Sequence, residues 1–249
     1  MKKIAFSNQK GGVGKTTTTV NVGAGLSLMG KKVLIIDLDP QANLTYSLKM
    51  RTSKLEKTVY NVLKGEVGAR DAIINHGNFD LMPSSLELSG AELELANEPA
   101  RECLLRDAID VLYEYDYILI DCPPNLGLLT LNAFTAVEEI IIVLQSEYLA
   151  LHGLSKLMNV IDVVQKRLNG NLEVAGIICT LYDGRKNLNR EVVGHIRDHF
   201  GSKVFETVIR DNVALAEAPS HHKTIFEYDD SSNGAKDYFA LAKEIRNGY

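Results

Sequence analysis

Apolar residues in this chain fall into short runs separated by longer amphipathic stretches. The order of the two predicts the fold class. Lys3 to Ser7 is a strand-type run, followed by a glycine-rich turn, a helical stretch from Thr16 to Met29, then Gly30 and a second strand-type run, Val33 to Ile36. That is a βαβ unit. Gly30 sits where a helix would close in a left-handed cap. The second strand ends on two carboxylates, Asp37 and Asp39, before Pro40 removes a ladder donor.

The pattern recurs downstream. Tyr117 to Ile120 ends on Asp121-Cys122-Pro123-Pro124, and Ile140 to Leu144 follows a short helical stretch. Val174 to Cys179 follows the helical segment Leu154 to Leu168, and Lys203 to Val208 follows Glu191 to Phe200. Nearly continuous apolar strands interleaved with helices predict an α/β fold in three layers, α/β/α, its mostly parallel sheet covered by helices on both faces. In such a sheet the functional edge lies at the carboxyl ends of the strands. Between residues 45 and 110 the pattern is less regular. Leu55 to Leu63, Arg70 to Ile74 and Leu86 to Ala96 read as helices around one weak strand near Asp80 to Pro83.

Composition narrows the class. The 249 residues are 45% apolar and 24% charged, which fits a soluble globular chain and excludes disorder, collagen and a disulfide scaffold. Length favours one domain, and no repeat, low-complexity tract or linker marks a second. Cys103, Cys122 and Cys179 are widely spaced and form no CxxC pair, as expected of buried thiols in a reducing compartment. The apolar run Ile4 to Phe6 is too short for a secretory signal, and no run approaches the roughly 20 apolar residues of a membrane helix. A cytoplasmic protein with no membrane partner is expected. Net charge is −5, carried wholly by residues 1–150 with 14 Lys/Arg against 19 Asp/Glu, while residues 151–249 balance at 13 and 13.

The strongest motif lies between the first strand and the first helix: Gln9-Lys10-Gly11-Gly12-Val13-Gly14-Lys15-Thr16-Thr17. Glycines let successive backbone N–H groups turn inward around phosphate oxygens, and the helix N-terminus adds positive potential. Lys15 is placed to reach the β and γ phosphates and the Thr16 hydroxyl to ligate Mg²⁺. The strict G-x-x-x-x-G-K-[ST] pattern fails, because its first glycine falls on Gln9. Lys10-Gly11-Gly12-Val13-Gly14-Lys15-Thr16 instead resembles the deviant Walker A box of the ParA/MinD ATPases, a P-loop NTPase-like group, with Lys10 matching their signature lysine. The resemblance implies one ATPase domain over residues 1–249, with ATP and Mg²⁺ bound along Lys10 to Thr17. It also implies an ATP-dependent homodimer in which Lys10 reaches the partner's nucleotide, stabilising transition-state charge as an arginine finger does.

A Mg-nucleotide hydrolase also needs carboxylates, one to hold the metal and a polar group to orient water. Asp37-Leu38-Asp39-Pro40-Gln41 resembles the family's switch I box, making Asp39 the water-positioning and metal-side residue with Asp37 as support. Asp121, after four apolar or aromatic residues and before Cys122 and the Pro-Pro pair, resembles the Walker B acid; in isolation it reads equally as a turn aspartate. Asp121 to Gly127 resembles switch II, and Glu217-Ala218-Pro219-Ser220-His221-His222-Lys223 is similar to a distal segment of the ParA/Soj-type partition ATPases. In that branch the stretch around Arg210-Asp211-Asn212 approaches the adenine, which carries a base-binding role to Arg210 and Asn212, against the alternative of a surface turn.

From Arg185 to Lys223 there are seven basic residues against five acids, and four of the six histidines. Such a mix is often only a solvated face. The resemblance adds nonspecific double-stranded DNA as a partner, contacted at its phosphates, with Arg185 at a family DNA position; Lys186, Arg190 and Lys223 are the basic candidates to compensate for departures from the family pattern. Relatives often have a second arginine where this chain has Ala214, and His222 replaces a glycine. No helix-turn-helix precedes the phosphate loop, as expected of the short type of partition ATPase, which is nucleoid-associated and answers to a ParB-like centromere-binding protein. Rival readings are a MinD-like membrane or division-site ATPase, an electron-transfer ATPase similar to the nitrogenase iron protein, and a ParA-like positioner of a non-DNA cargo.

Overall fold

The computed structural model describes residues 1–49, 55–147 and 150–248. Among these residues eight strands form one sheet: β1 (Lys2–Ser7), β2 (Val33–Asp37), β3 (Ile74–Asn75), β4 (Asp80–Met82), β5 (Tyr117–Asp121), β6 (Glu139–Gln145), β7 (Glu173–Tyr182) and β8 (Val204–Arg210). Their order across the sheet is β3-β4-β2-β5-β1-β6-β7-β8, parallel throughout except for the β3–β4 pair. The central strand, β1, is thus flanked by β5 and β6, and a crevice opens above its carboxyl end. In register, Asp37 lies beside Asp121, and Phe6 beside Asp121 on the other side. Three strand ends therefore deliver the phosphate loop and both acidic motifs to one place.

The helices are α1 (Lys15–Leu28), α2 (Asn43–Ser47), α3 (Val59–Leu63), α4 (Ala91–Glu94), α5 (Leu104–Ile109) and α6 (Leu128–Ala136). They continue with α7 (Ala150–Arg167), α8 (Asn187–Phe200), α9 (Val213–Glu217), α10 (Ile225–Tyr228) and α11 (Asn233–Asn247). Strand side chains alternate between two cores. Ala5, Leu34, Ile36, Ile120 and Ile142 pack under α3, α5, α6, α7 and α8. Ile4, Phe6, Ile35, Leu119 and Ile141 pack under α1, α10 and α11. The result is the expected three-layer α/β/α arrangement. Helix α1 lies so close to β2 that a Cβ on Gly23 would stand 2.6 Å from Ile35 Cδ1, which fixes the helix bearing Lys15 against the sheet.

The irregular stretch departs from expectation in three places, one of them Leu86 to Ala96, where a 3₁₀ turn (Leu86–Gly90), α4 and a second 3₁₀ turn (Leu95–Asn97) stand in place of one helix. Thr58 and Asn61 form a capping box, so the helix expected over Leu55 to Leu63 begins only at Val59; residues 50–54 lie outside the described part. The helix expected over Arg70 to Ile74 is a single 3₁₀ turn, Ala69–Ala72, feeding strand β3. Gly77, at φ +77°, provides the left-handed residue that lets β3 turn back antiparallel onto β4. The pairing is nonlocal information that a local apolar pattern does not carry.

Candidate functional site

The turn after β1 is shaped by Gly12 (φ +75°) and Gly14 (φ +90°), conformations that a side chain disfavours. Nothing lies within 4 Å of where a Cβ on Gly11 or Gly12 would stand, so the loop's inner backbone faces an open space. Asn8 pins the loop's entrance, accepting from Lys10 N at 2.9 Å and donating to the Val143 carbonyl on β6. Gly14 then caps α1, and Gly14, Lys15, Thr16 and Thr17 line the same space, so the first turn of the helix, whose N–H groups have no intrahelical partners, lies beside it.

Lys15 is only 7% exposed, and its Nζ donates to the Lys10 carbonyl at 3.2 Å. Burial lowers its pKa, opposed chiefly by the neighbouring Asp121 carboxylate. Thr16 Oγ1 donates to Asp121 Oδ2 at 2.7 Å, while Asp121 Oδ1 is buried without a hydrogen-bond partner among the described residues. Burial, reinforced by Asp37, pushes Asp121 up to about 8. An orphaned buried carboxylate oxygen beside a hydroxyl fits a hard divalent cation, which takes few protein ligands beside phosphate and water oxygens. Lys15, Thr16 and Asp121 are thus suited to a Mg-nucleotide.

The two switch-type carboxylates divide the work. Asp37 is fully buried, with burial the main cause of a pKa raised to about 6. It accepts from Thr45 N (2.9 Å), Thr45 Oγ1 (2.6 Å) and Asp39 N (3.2 Å). Ser84 N donates to Thr45 Oγ1, and Ser84 Oγ to the Asp39 carbonyl. Asp37 therefore braces the segment from within, and Asp39 is left at the cleft, its Oδ1 accepting from Gln41 N at 2.9 Å. Thr45 and Ser84 carry no sequence signal. Their spacing of eight and 47 residues from Asp37 belongs to the tertiary fold.

The cleft measures about 760 Å³. Gly11, Gly12, Gly14, Lys15, Thr16 and Thr17 form one wall, with Asp39 and Pro124 beside them and Leu215, Pro219, His222 and Lys223 opposite. His222 Nδ1 meets the Tyr46 carbonyl at 3.1 Å, linking that far wall to α2. Val13 is buried beneath the loop. Lys10 points elsewhere, its Nζ donating to Gln145 Oε1 (3.0 Å) and Glu147 Oε2 (2.8 Å) in a half-exposed ion pair.

Arg210 and Asn212 do not line this cleft. Asp237 of α11 holds the Arg210 guanidinium (Nη2 to Oδ1 2.6 Å, Nε to Oδ2 2.9 Å), and Asn212 caps α9 by accepting from Ala214 N. The side chains opposite the loop at that end are those of the 215–223 segment. The basic candidates divide too. Arg185 and Lys186 gather about Asp183, with Arg185 Nε to Asp183 Oδ1 at 2.9 Å and Lys186 Nζ to Oδ2 at 3.9 Å; Arg190 donates to the Gly184 carbonyl and to Asn187. Lys223 is separate from this corner, at the cleft wall.

Fold and site together define an α/β protein with a glycine phosphate loop, a buried lysine and strand-end carboxylates. Residues 1–174 match the family model described as "AAA domain", and residues 102–249 match that of the "4Fe-4S iron sulfur cluster binding proteins, NifH/frxC family". The sporulation initiation inhibitor protein Soj of Bacillus subtilis is 47% identical over 98% of this chain and 98% of its own. The chromosome partitioning protein ParA of Caulobacter vibrioides is 42% identical, covering 98% of this chain and 94% of its own. A structure titled cobyrinic acid a,c-diamide synthase of Mycobacterium smegmatis, with bound ADP and magnesium, superposes with a TM-score of 0.88 at 35% identity, covering 99% of this chain and 94% of that one. The chain belongs to the ParA/Soj family of chromosome-partitioning ATPases within the ParA/MinD group.

An iron–sulfur cluster does not fit. Cys103, Cys122 and Cys179 are all buried, and burial pushes the Cys122 thiol well up and that of Cys179 to about 11. A cluster shared between subunits needs thiolates at a surface. Among the described residues, no three His, Cys, Asp or Glu groups converge to hold a metal by themselves.

Proposed function

We propose that this chain is a Mg-dependent, ATP-dimerised DNA-segregation ATPase, with residues 1–249 acting as one unit. The observation that carries the reading is the division of the loop's two lysines. Lys15 is buried at its own cleft, whereas Lys10 stands outside it on the solvent side. A cation so placed serves a second cleft better than its own, so nucleotide bound between two copies would have differential affinity for the dimer.

In this reading the 11–17 backbone and Lys15 hold the phosphates. Thr16 and Asp121 hold Mg²⁺, which supplies Lewis-acid stabilisation of phosphate charge. Asp39 orients the attacking water, with its backbone fixed by Asp37 and Ser84. Lys10 of the second copy neutralises developing charge, so turnover waits on dimerisation. The 183–190 corner then binds phosphates of nonspecific double-stranded DNA, doubled in the dimer. A ParB-like centromere-binding protein stimulates hydrolysis and release, and the protein is nucleoid-associated. Among the described residues no helix is long and apolar enough to cross a membrane.

The test is binding to a random-sequence duplex without nucleotide, with ADP and with ATP-Mg²⁺, at two salt concentrations. Binding confined to ATP-Mg²⁺ and weakening steeply with salt is expected. Equal binding in all three states, or none, would overturn the proposal.

A further inference from the structure

A chain of buried polar groups joins the phosphate loop to the basic corner and passes through the end of β6. Thr180 Oγ1 donates to the Val13 carbonyl at 2.7 Å. The Thr180 carbonyl accepts from Ser146 N and Ser146 Oγ, each at 3.1 Å. Asn189 Nδ2 donates to the Ser146 carbonyl at 2.6 Å, and Asn189 Oδ1 accepts from Asp183 N at 2.9 Å. The Asp183 carboxylate in turn holds Arg185 through N, Nε and Nη2. Ser146, Thr180 and Asn189 are 1%, 2% and 6% exposed, so water does not substitute for these partners.

The same strand end has a second face. Gln145 and Glu147, on either side of Ser146, hold Lys10 from solvent, and Gln145 Nε2 donates to Glu147 Oε1 at 2.8 Å. One three-residue segment therefore touches the lysine on its outer side and the basic corner, through Asn189, on its inner side.

We propose that Asn189 is a positioning residue that ties the DNA-binding corner to the β6 end, so that the corner's geometry follows whether Lys10 rests on Gln145 and Glu147. The inference rests on the segregation reading, because it gives that corner its ligand. When Lys10 leaves for a second copy's nucleotide, residues 145–147 lose their outer tether. The inner bonds carry the resulting shift to Asp183 and hence to Arg185. By linkage, DNA held at the corner favours release of Lys10 by the same factor. The bland alternative is that Asn189 only completes the turn before α8 by accepting from Asp183 N.

Two variants of the full chain separate these. N189A removes both bonds, while N189D keeps an acceptor for Asp183 N and loses the donor to Ser146. Each is tested for thermal melting, ATP-Mg²⁺-dependent dimerisation by sedimentation, and affinity for a labelled random duplex with ADP and with ATP-Mg²⁺. We expect both to dimerise within about twofold of wild type. Both should lose most of the ATP-over-ADP gain in DNA affinity, by about tenfold, with N189D behaving like N189A although it folds. If N189D retains the wild-type gain, the link to Ser146 is irrelevant and the proposal is overturned. If wild type itself shows no ATP-dependent DNA binding, the segregation reading has failed instead.

Discussion

Around the phosphate loop the reactive groups are buried and braced by neighbouring strands, whereas at the 183–190 corner Arg185 is 92% exposed and held by one carboxylate. Lys15, Asp37 and Asp121 each sit in a place where a single lost partner leaves an uncompensated polar group. Arg185, Lys186 and Arg190 sit in high dielectric, where each charge contributes little and salt screens it. The first region is suited to chemistry that depends on one atom's position. The second is suited to binding summed over many weak phosphate contacts, which a nucleotide-driven dimer can switch by doubling.

The largest effect separating the two regions should come from Asp39. Asp39→Ala removes a carboxylate at the cleft while leaving Asp37, Thr45 and Ser84 to hold the backbone. We expect phosphate release to fall about 10²-fold or more, while the ATP dimer still forms and stays on DNA. Turnover at the wild-type rate would remove Asp39 from the mechanism.

Next in size is the corner. Arg185→Glu should weaken binding to any duplex about tenfold at moderate salt and reduce the salt slope by about one or two. ATP-driven dimerisation should be unchanged, as seen by sedimentation. A variant that dimerises poorly in the absence of DNA would mean that Arg185 belongs to the dimer contact and not to the DNA surface.

How much of this was legible in the sequence follows the same division. The phosphate loop, Asp37, Asp39 and Asp121 could be placed because each lies at a strand end, where local apolar pattern and motif coincide. The sheet's parallel class followed from the same runs. The β3–β4 hairpin, the Asp237 clamp on Arg210 and the Thr45–Ser84 brace were illegible, since each joins residues distant in sequence through contacts that no periodicity encodes. Arg210 and Asn212 are present where the motif has them, and in the nucleotide-free chain their side chains meet Asp237 and cap α9. Lys223 was grouped with Arg185 by charge alone, and three-dimensional placement put it at the cleft.

A third contrast concerns pH. In the folded, nucleotide-free protein Asp121 keeps its proton up to about pH 8, and Asp37 up to about pH 6, whereas the unfolded chain ionises both near 3.8. Between those limits the folded state binds the extra protons, so stability falls as pH rises. From pH 6 to 8 the decline belongs mainly to Asp121. Melting temperature should drop on the order of 5 °C across that interval, and Asp121→Asn should flatten the drop. Arg185→Glu should leave it intact, because Asp183, which that arginine holds down to about 2, would return only toward the ordinary carboxylate range and stay ionised from pH 6 to 8. An unchanged slope in Asp121→Asn would place the titrating group elsewhere.

The smallest expected effect tests where the two regions meet. The Lys10–Glu147 pair is about half exposed at both ends, so it contributes at most about 1 kcal/mol to the nucleotide-free fold. Glu147→Ala should leave the melting temperature within about 3 °C of wild type. Dimer formation is another matter, since in the proposed dimer Lys10 leaves Glu147 to reach a second nucleotide. Removing that competitor should strengthen ATP-dependent dimerisation by up to about fivefold per protomer, the factor equivalent to 1 kcal/mol for each Lys10 released, and the gain should shrink in high salt, where the pair is already screened. Gln145 would still accept from Lys10 Nζ, which keeps the effect small. A weaker dimer in Glu147→Ala would mean that this carboxylate acts across the interface rather than against it, and the solvent-side position of Lys10 would then be a dimer contact instead of a resting place.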